Sequence, residues 1–320
     1  MVGRSGRRGW SIVAATLCLA ACERTPPARG NDSAESVAPL PAVTGDSALV
    51  PHTWRDSDGP FLAVATDDAH VVLLVAPDSA DMGSGAALRT FARTVGAAPI
   101  ALLGRSGLVA QATLQPRSIE QRHECEWPRA TIVTRDALGE EAHWGVGIAG
   151  AVATPVVLDS LERLSRADSA RLVADLARIA SALPDDTVPV FHGIPFSVRS
   201  AWTFAPAPGT LAVIGEISRR VAQEANQREE RLLLLAERDS VPGARWQARW
   251  QARWWVRAWG SEETVEALDV LAVLRLARDR GPTLVVGHDA PAGLWQELVA
   301  RDSTGLWRRR WRSGVSGPCA

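Results

Sequence analysis

Residues 232–239 read Leu232-Leu233-Leu234-Leu235-Ala236-Glu237-Arg238-Asp239, and after a turn the chain continues Arg245-Trp246-Gln247-Ala248-Arg249-Trp250. A second copy follows: Gln296-Glu297-Leu298-Val299-Ala300-Arg301-Asp302, a Ser303-Thr304-Gly305 turn, then Trp307-Arg308-Arg309-Arg310-Trp311. Each copy is an apolar strand, an Arg-Asp turn and a Trp-Arg strand. Upstream of each lies a third apolar run, Leu211–Gly215 and Leu284–Gly287. Two units roughly 65–75 residues apart, each with at least three strands, predict repeated antiparallel hairpins or blade-like sheets. Because Trp favours strands, Ala244–Trp255 is read as one. Trp246, Ala248, Trp250, Ala252 and Trp254 then share one face, and Arg245, Gln247, Arg249, Gln251 and Arg253 the other. Two outcomes are open. The tryptophans fill a core while the arginines face water, or Trp246, Trp250 and Trp254 with Arg245, Arg249 and Arg253 form a ligand surface for a glycan or anionic polymer.

The remainder of the chain fits a mainly β (α+β) fold with one prominent amphipathic helix. Phe61–Ala65 and Val71–Val75 flank Asp67-Asp68-Ala69, a hairpin signal. Ile100–Leu103 and Leu108–Leu114 flank Gly104-Arg105-Ser106-Gly107, a second one, and Ala130–Thr134 is another strand-type run. Ser165-Arg166-Ala167-Asp168 opens a helix with a capping-box pattern. Leu172, Leu176, Ile179, Ala180 and Leu183 stripe one face of it, and Pro184 ends it. A helix covering a sheet is the expected arrangement. Strand-like runs return at Ile194–Phe204 and Thr210–Ile217, separated by Pro206, Pro208 and Gly209.

The repeated units, particularly Leu271–Gly287, resemble degenerate blades of FG-GAP-type β-propellers. That family's calcium loop, an Asp-x-Asp-x-Asp-Gly run, is reduced here to Asp279-Arg280-Gly281, so calcium binding does not carry over. A sandwich or an open stack of sheets fits the same strands. At the N-terminus, Arg4, Arg7 and Arg8 precede an apolar run from Trp10 to Ala21, the layout of a secretory signal peptide. Its end, Leu19-Ala20-Ala21-Cys22, resembles a bacterial lipobox, which implies diacylation of Cys22 as the first mature residue and stable anchoring to a membrane. Glu23, in the position where Asp retains enterobacterial lipoproteins at the inner membrane, points to the outer membrane of the bacterial cell envelope. The expected organisation is a signal peptide over 1–21 and a disordered Pro-rich tether over 22–55. A β-rich part over 56–160 follows, then a helix plus repeated hairpins over 161–320, as one domain or two.

Composition excludes several chemistries. The chain has 320 residues and a net charge of -1, with no global bias toward nucleic acid. It has no lysine, which removes a Walker A loop, a Schiff-base enzyme and a Ser-x-x-Lys hydrolase. Of four cysteines, Cys18 leaves with the signal peptide and Cys22 takes lipid. Cys125 and Cys319 remain, in an oxidising compartment, and are expected to pair. Such a bridge closes a loop of about 200 residues and is worth about 3–5 kcal/mol in the chain-entropy model.

Gly145-Val146-Gly147-Ile148-Ala149-Gly150 matches a G-x-G-x-x-G string but lacks the strand before and helix after that a dinucleotide site needs, so a Gly-rich loop or strand is expected. The histidines show no metal spacing. His123 beside Cys125 could supply two ligands, but Cys125 has its use in the disulfide. No metal or cofactor is expected. His288-Asp289 after a strand and Asp67-Asp68 at a hairpin tip are the candidate residues for an envelope hydrolase. No G-x-S-x-G elbow accompanies them. The favoured function is a non-enzymatic envelope lipoprotein that binds or scaffolds an envelope protein or an anionic glycan. Its membrane contact runs through the lipid, and it takes no nucleic acid.

Overall fold

The computed structural model describes residues 62–316, apart from 67, 69, 76–98, 116–118, 121–126, 140–142, 150–152, 185–187, 222–226, 240–248 and 277–280. The fold is mainly β, as the repeat and hairpin signals predict. Strands β1 (Leu62–Ala65), β2 (Val71–Val75), β3 (Pro99–Gly104), β4 (Gly107–Leu114), β5 (Arg129–Thr134) and β6 (Val146–Ala149) close an antiparallel barrel in the order β1-β2-β5-β4-β3-β6. Both expected hairpins are present, and the second turns on Gly107 at φ 105°.

Two five-stranded antiparallel sheets follow. Their strands are β7 (Ala153–Pro155), β8 (Asp159–Ser160), β9 (Ser197–Ala207), β10 (Thr210–Val221), β11 (Arg228–Asp239), β12 (Gln251–Ser261), β13 (Ala267–Leu276), β14 (Thr283–Ala290), β15 (Gly293–Arg301) and β16 (Trp307–Arg312). The first sheet runs β12-β11-β10-β9-β8 and the second β16-β15-β14-β13-β7. Each repeat is thus a four-stranded meander extended by one short strand from the 153–160 segment. β9 continues through Pro206, further than the sequence predicts. A register shift between β9 and β10 at that point accommodates the proline, which has no N–H for the ladder.

The layers stack through three cores. Ile214, Leu233, Leu235, Trp254 and Val256 of the first sheet meet Val273, Leu284, Val286, Val299 and Trp307 of the second. The other face of the second sheet lays Leu274, Val285, Leu298 and Trp311 on Val64, Val75, Leu103, Val146 and Ile148 of the barrel wall. The other face of the first sheet is covered by helix α1 (Arg166–Ser181) through Leu172, Leu176, Ile179 and Ala180. Ser165 caps that helix: its hydroxyl accepts from the Asp168 amide at 3.2 Å and donates to the Asp168 carboxylate at 2.9 Å. The barrel has its own filled interior, from Ala63, Leu74, Ile100, Leu102 and Ile132 among others.

β6 lies within the G-x-G-x-x-G string, and Gly145 and Gly147 of that string serve packing. A Cβ on Gly147 would sit 2.9 Å from Ile100 Cγ2 and 3.2 Å from Ala63 Cβ inside the barrel. Gly145 and Gly287 both give way to Leu271, where β13 shifts register against β14. Gly147→Val should therefore lower the unfolding free energy by about 1–3 kcal/mol, the usual cost of overpacking a filled core, as read by urea denaturation.

Candidate functional site

Glu237 continues β11 directly after the apolar run Leu232–Ala236 and is 2% exposed. A buried carboxylate is costly unless it is paired and hydrogen-bonded. Both conditions are met from the second repeat. Arg301 Nε donates to Glu237 Oε1 at 2.8 Å, and Trp307 Nε1 donates to the same oxygen at 2.9 Å. Arg253 Nε of β12 stands 3.5 Å from Oε2. The β15–β16 turn holds the two donors in place. Asp302 Oδ1 accepts from the Thr304 amide, the Thr304 hydroxyl and the Leu306 amide at 2.6–2.9 Å, with Gly305 at φ 86°. The Thr304 hydroxyl chiefly holds the Asp302 carboxyl below its ordinary pKa.

Over Glu237 opens a cleft of about 220 Å³, bounded by Arg238, Arg249, Arg253 and Arg301, with Asp239 the second carboxylate beside Glu237 and Thr210 and Gln251 as neutral polar groups. Three guanidinium groups, of Arg249, Arg253 and Arg301, thus accompany two carboxylates, while the Arg238 side chain turns to the other face of β11. Arg238 stacks on the Trp250 ring at 4.4 Å, which fixes the plane of its fork. Arg249 and Arg253 are exposed at the rim. Rigid arginine forks with surplus positive charge suit carboxylate, sulfate or phosphate oxygens.

The expected tryptophan face does not form. Leu235 pairs with Trp254, but Ala236 pairs with Ala252, so Arg253 is an extra residue in β12. This bulge reverses the side-chain alternation. Trp250 then packs beneath α1 and Trp254 enters the core between the sheets, at 4% and 7% exposure. The second repeat carries the same device. A shift between Leu298 and Val299 sends Trp307 to the inner core and Trp311 to the barrel side. Arg245 and Trp246 lie outside the described residues, as do Asp67, Cys22, Cys125 and Cys319. Of the proposed surface, Arg249 and Arg253 do meet in the cleft. Glu237, Arg238 and Arg301 belong to the repeated strands, but the repeat pattern by itself marks none of them as a site residue. A carboxylate at the end of an all-apolar strand, repeated opposite an Arg-Asp turn, was the available signal.

The hydrolase candidates do not converge. His288 is 3% exposed, whereas Asp289 points to the exposed side of β14. His288 is bonded to Glu266 through Nδ1, stands 3.7 Å from Glu297 through Nε2 and stacks on Trp295 at 4.9 Å. Burial opposes charge on the ring, but the Glu266 and Glu297 carboxylates raise its pKa on balance. Arg309 closes the set on Glu297 at 2.9 Å. Asp68 is an exposed turn residue that accepts from the His70 amide at 2.9 Å. Among the described residues no group of three or more His, Cys, Asp or Glu side chains is placed to hold a metal ion.

A second polar centre joins all three β bodies. Arg105, in the β3–β4 turn of the barrel, donates from Nε to Val270 O at 2.9 Å, pairs with Asp269 and lies 4.3 Å from the centre of the Trp202 ring. Its Nη2 is 3.7 Å from Glu216, which also receives the Ser200 hydroxyl. Burial pushes the Glu216 carboxyl up to about 7, and neighbouring Asp269 adds to the rise against the pull of Ser200 and Arg105.

Comparison with known proteins returns no match, whether to a family model, a curated protein or a solved structure.

Glu216 yields a pH prediction. A carboxyl whose pKa rises on folding from 4.5 to about 7 adds stability in full below pH 4.5, and that stability is lost as pH rises through about 7. In urea unfolding between about pH 5 and pH 8, the native chain should lose more stability with rising pH than Glu216→Gln does, because the amide does not titrate. Parallel slopes would contradict it.

Proposed function

We propose that this protein is exported, lipidated on Cys22 and held in the bacterial cell envelope, at the outer membrane rather than the inner. There its folded part binds an anionic partner in the Glu237 cleft and catalyses no reaction. The export and anchoring reading rests on Arg4 to Ala21 and on Leu19-Ala20-Ala21-Cys22. The binding reading rests on one observation: Arg249, Arg253 and Arg301 line a solvent-open cleft over the single buried carboxylate of Glu237. The purpose of Glu237 is then to hold Arg253 and Arg301 in fixed orientation, leaving net positive charge for a ligand.

The same compartment assigns Cys125 and Cys319 to a disulfide. What supports the pairing is a contact between described residues close to each cysteine in sequence. The Trp127 amide donates to Ser316 Oγ at 3.1 Å, and Ser316 bridges to Leu294. Cys125 lies two residues before one end of that bond and Cys319 three beyond the other.

Mass spectrometry of the mature, unreduced protein should give acylated Cys22 as residue one and a linked Cys125–Cys319 peptide pair. A different first residue refutes the anchor, and two alkylatable thiols refute the bridge. For the cleft, calorimetric titration with oligogalacturonate and with polyglutamate should detect binding of at least one, weakening with salt. Arg249→Ala should reduce that affinity by about tenfold or more, in line with loss of a charge-assisted hydrogen bond. Binding unchanged by this exposed substitution, or no binding to either polyanion, overturns the reading.

A further inference from the structure

The Glu237 cleft opens at the start of β12, and β12 is the terminal strand of its sheet. It pairs with β11 on one side, and no strand pairs with its other side among the described residues. Beyond the Arg253 bulge, the eight residues Trp254–Ser261 pair with β11 without a shift. They form a regular edge whose outward amides and carbonyls are a template for another strand. We infer that the cleft's partner is an extended acidic peptide, which adds to β12 as a sixth strand and places its carboxylates among Arg249, Arg253 and the arginines of β16. This inference rests on the anion-binding reading of the cleft.

Charge selects the occupant. β12 carries Arg253 and Arg257, β16 carries Arg308, Arg309, Arg310 and Arg312, and neither strand contains an acidic residue. β16 ends the second sheet and contacts β12, so the two terminal strands lie together. A second copy meeting this edge would set arginine against arginine, which is how natural sheets discourage self-pairing. Arg257 and Arg309 already pair with Glu230 and Glu297, each at 2.9 Å, so an acidic strand meets positive charge at Arg249 and Arg253 and at the exposed Arg308 and Arg312 of β16.

The buried tryptophans select against a glycan. Stacking on sugars needs open aromatic faces, and Trp250 and Trp254 have none. Trp250 gives its ring to Arg238. What the edge does offer is main-chain hydrogen bonding, forks for carboxylates and, at the far end, the 37% exposed Trp259 as an apolar contact for an alternate side chain. That combination is the chemistry of strand addition, in which the backbone supplies affinity and alternate side chains supply specificity.

The test uses the mature protein, its Arg249→Ala variant and four probes. These are the acetylated and amidated octapeptide of alternating Asp and Val, the same peptide N-methylated on every second amide (in both phases), and oligogalacturonate. The expected result is saturable binding of the plain octapeptide, at least tenfold loss for one N-methylated phase, and slowed hydrogen exchange confined to β12. N-methylation removes donors on one edge without touching charge, so it separates strand pairing from electrostatic attraction. Equal binding by all three peptides overturns strand addition and leaves an anion cleft. Oligogalacturonate binding that depends on Arg249, with no peptide binding, does the same. Failure of every anion to bind removes both the inference and the reading beneath it.

Discussion

A strand such as Leu232–Ala236 has no polar side to turn toward water. In an ordinary half-exposed sheet the side chains alternate in character, whereas a run of five apolar residues demands cover on both faces. The whole arrangement answers that demand. β11 is covered by α1 on one side and by the second sheet on the other. β14, with its Leu284–Val286 run, is covered by the first sheet and by the barrel wall. The barrel is thereby more than an appended domain: it is the lid on the second sheet's far face. Arg105 fastens it, holding Asp269 and Val270 of the second sheet while lying against Trp202 of the first.

The same demand explains why charge is concentrated at strand ends. Where the apolar runs stop, buried carboxylates begin, each matched by arginine. Glu237 takes Arg253 and Arg301 at one end of β11, and Glu230 takes Arg219 and Arg257 toward the other. Arg219 is additionally held against the Phe196 ring at 4.4 Å and bonded to Phe191 O at 3.0 Å. With no lysine in the chain, every such pairing uses the planar guanidinium, which is more weakly hydrated than an ammonium and makes several directed bonds at once. The Glu237 set borders an open cleft that Arg249 also lines.

Much of this was legible in the residues. The helix from its Ser165 cap, the hairpins around Asp68 and Arg105, and the paired repeats all follow from periodicity and turn chemistry. What periodicity cannot carry is a change of phase. Trp250 and Trp254 are spaced to share a face, and one extra residue at Arg253 separates them. Nothing local announces that bulge, because it answers to β11 and to the cores on either side. The pairing of Glu237 with Arg301 and of Arg105 with Asp269 joins residues 64 and 164 positions apart. Sequence names the partners without saying they meet. Closure of the barrel, which needs β1 to find β6, is hidden for the same reason.

The short segment from Ala153 to Ser160 gives one strand to each sheet: β7 to β13 and β8 to β9. That shared origin has a meaning in time. β8 finds its neighbour within about fifty residues, but β7 must wait for more than a hundred residues of chain before β13 exists to receive it. The barrel and the first meander can each mature from nearby contacts. The second sheet alone closes across the full length, after both of its covering layers have begun to form. A chain emerging from its N-terminus in extended form would therefore assemble from its beginning toward its end. Its slowest event would be the arrival of the last meander in a slot already prepared for it, at the point where entropy of loop closure is greatest.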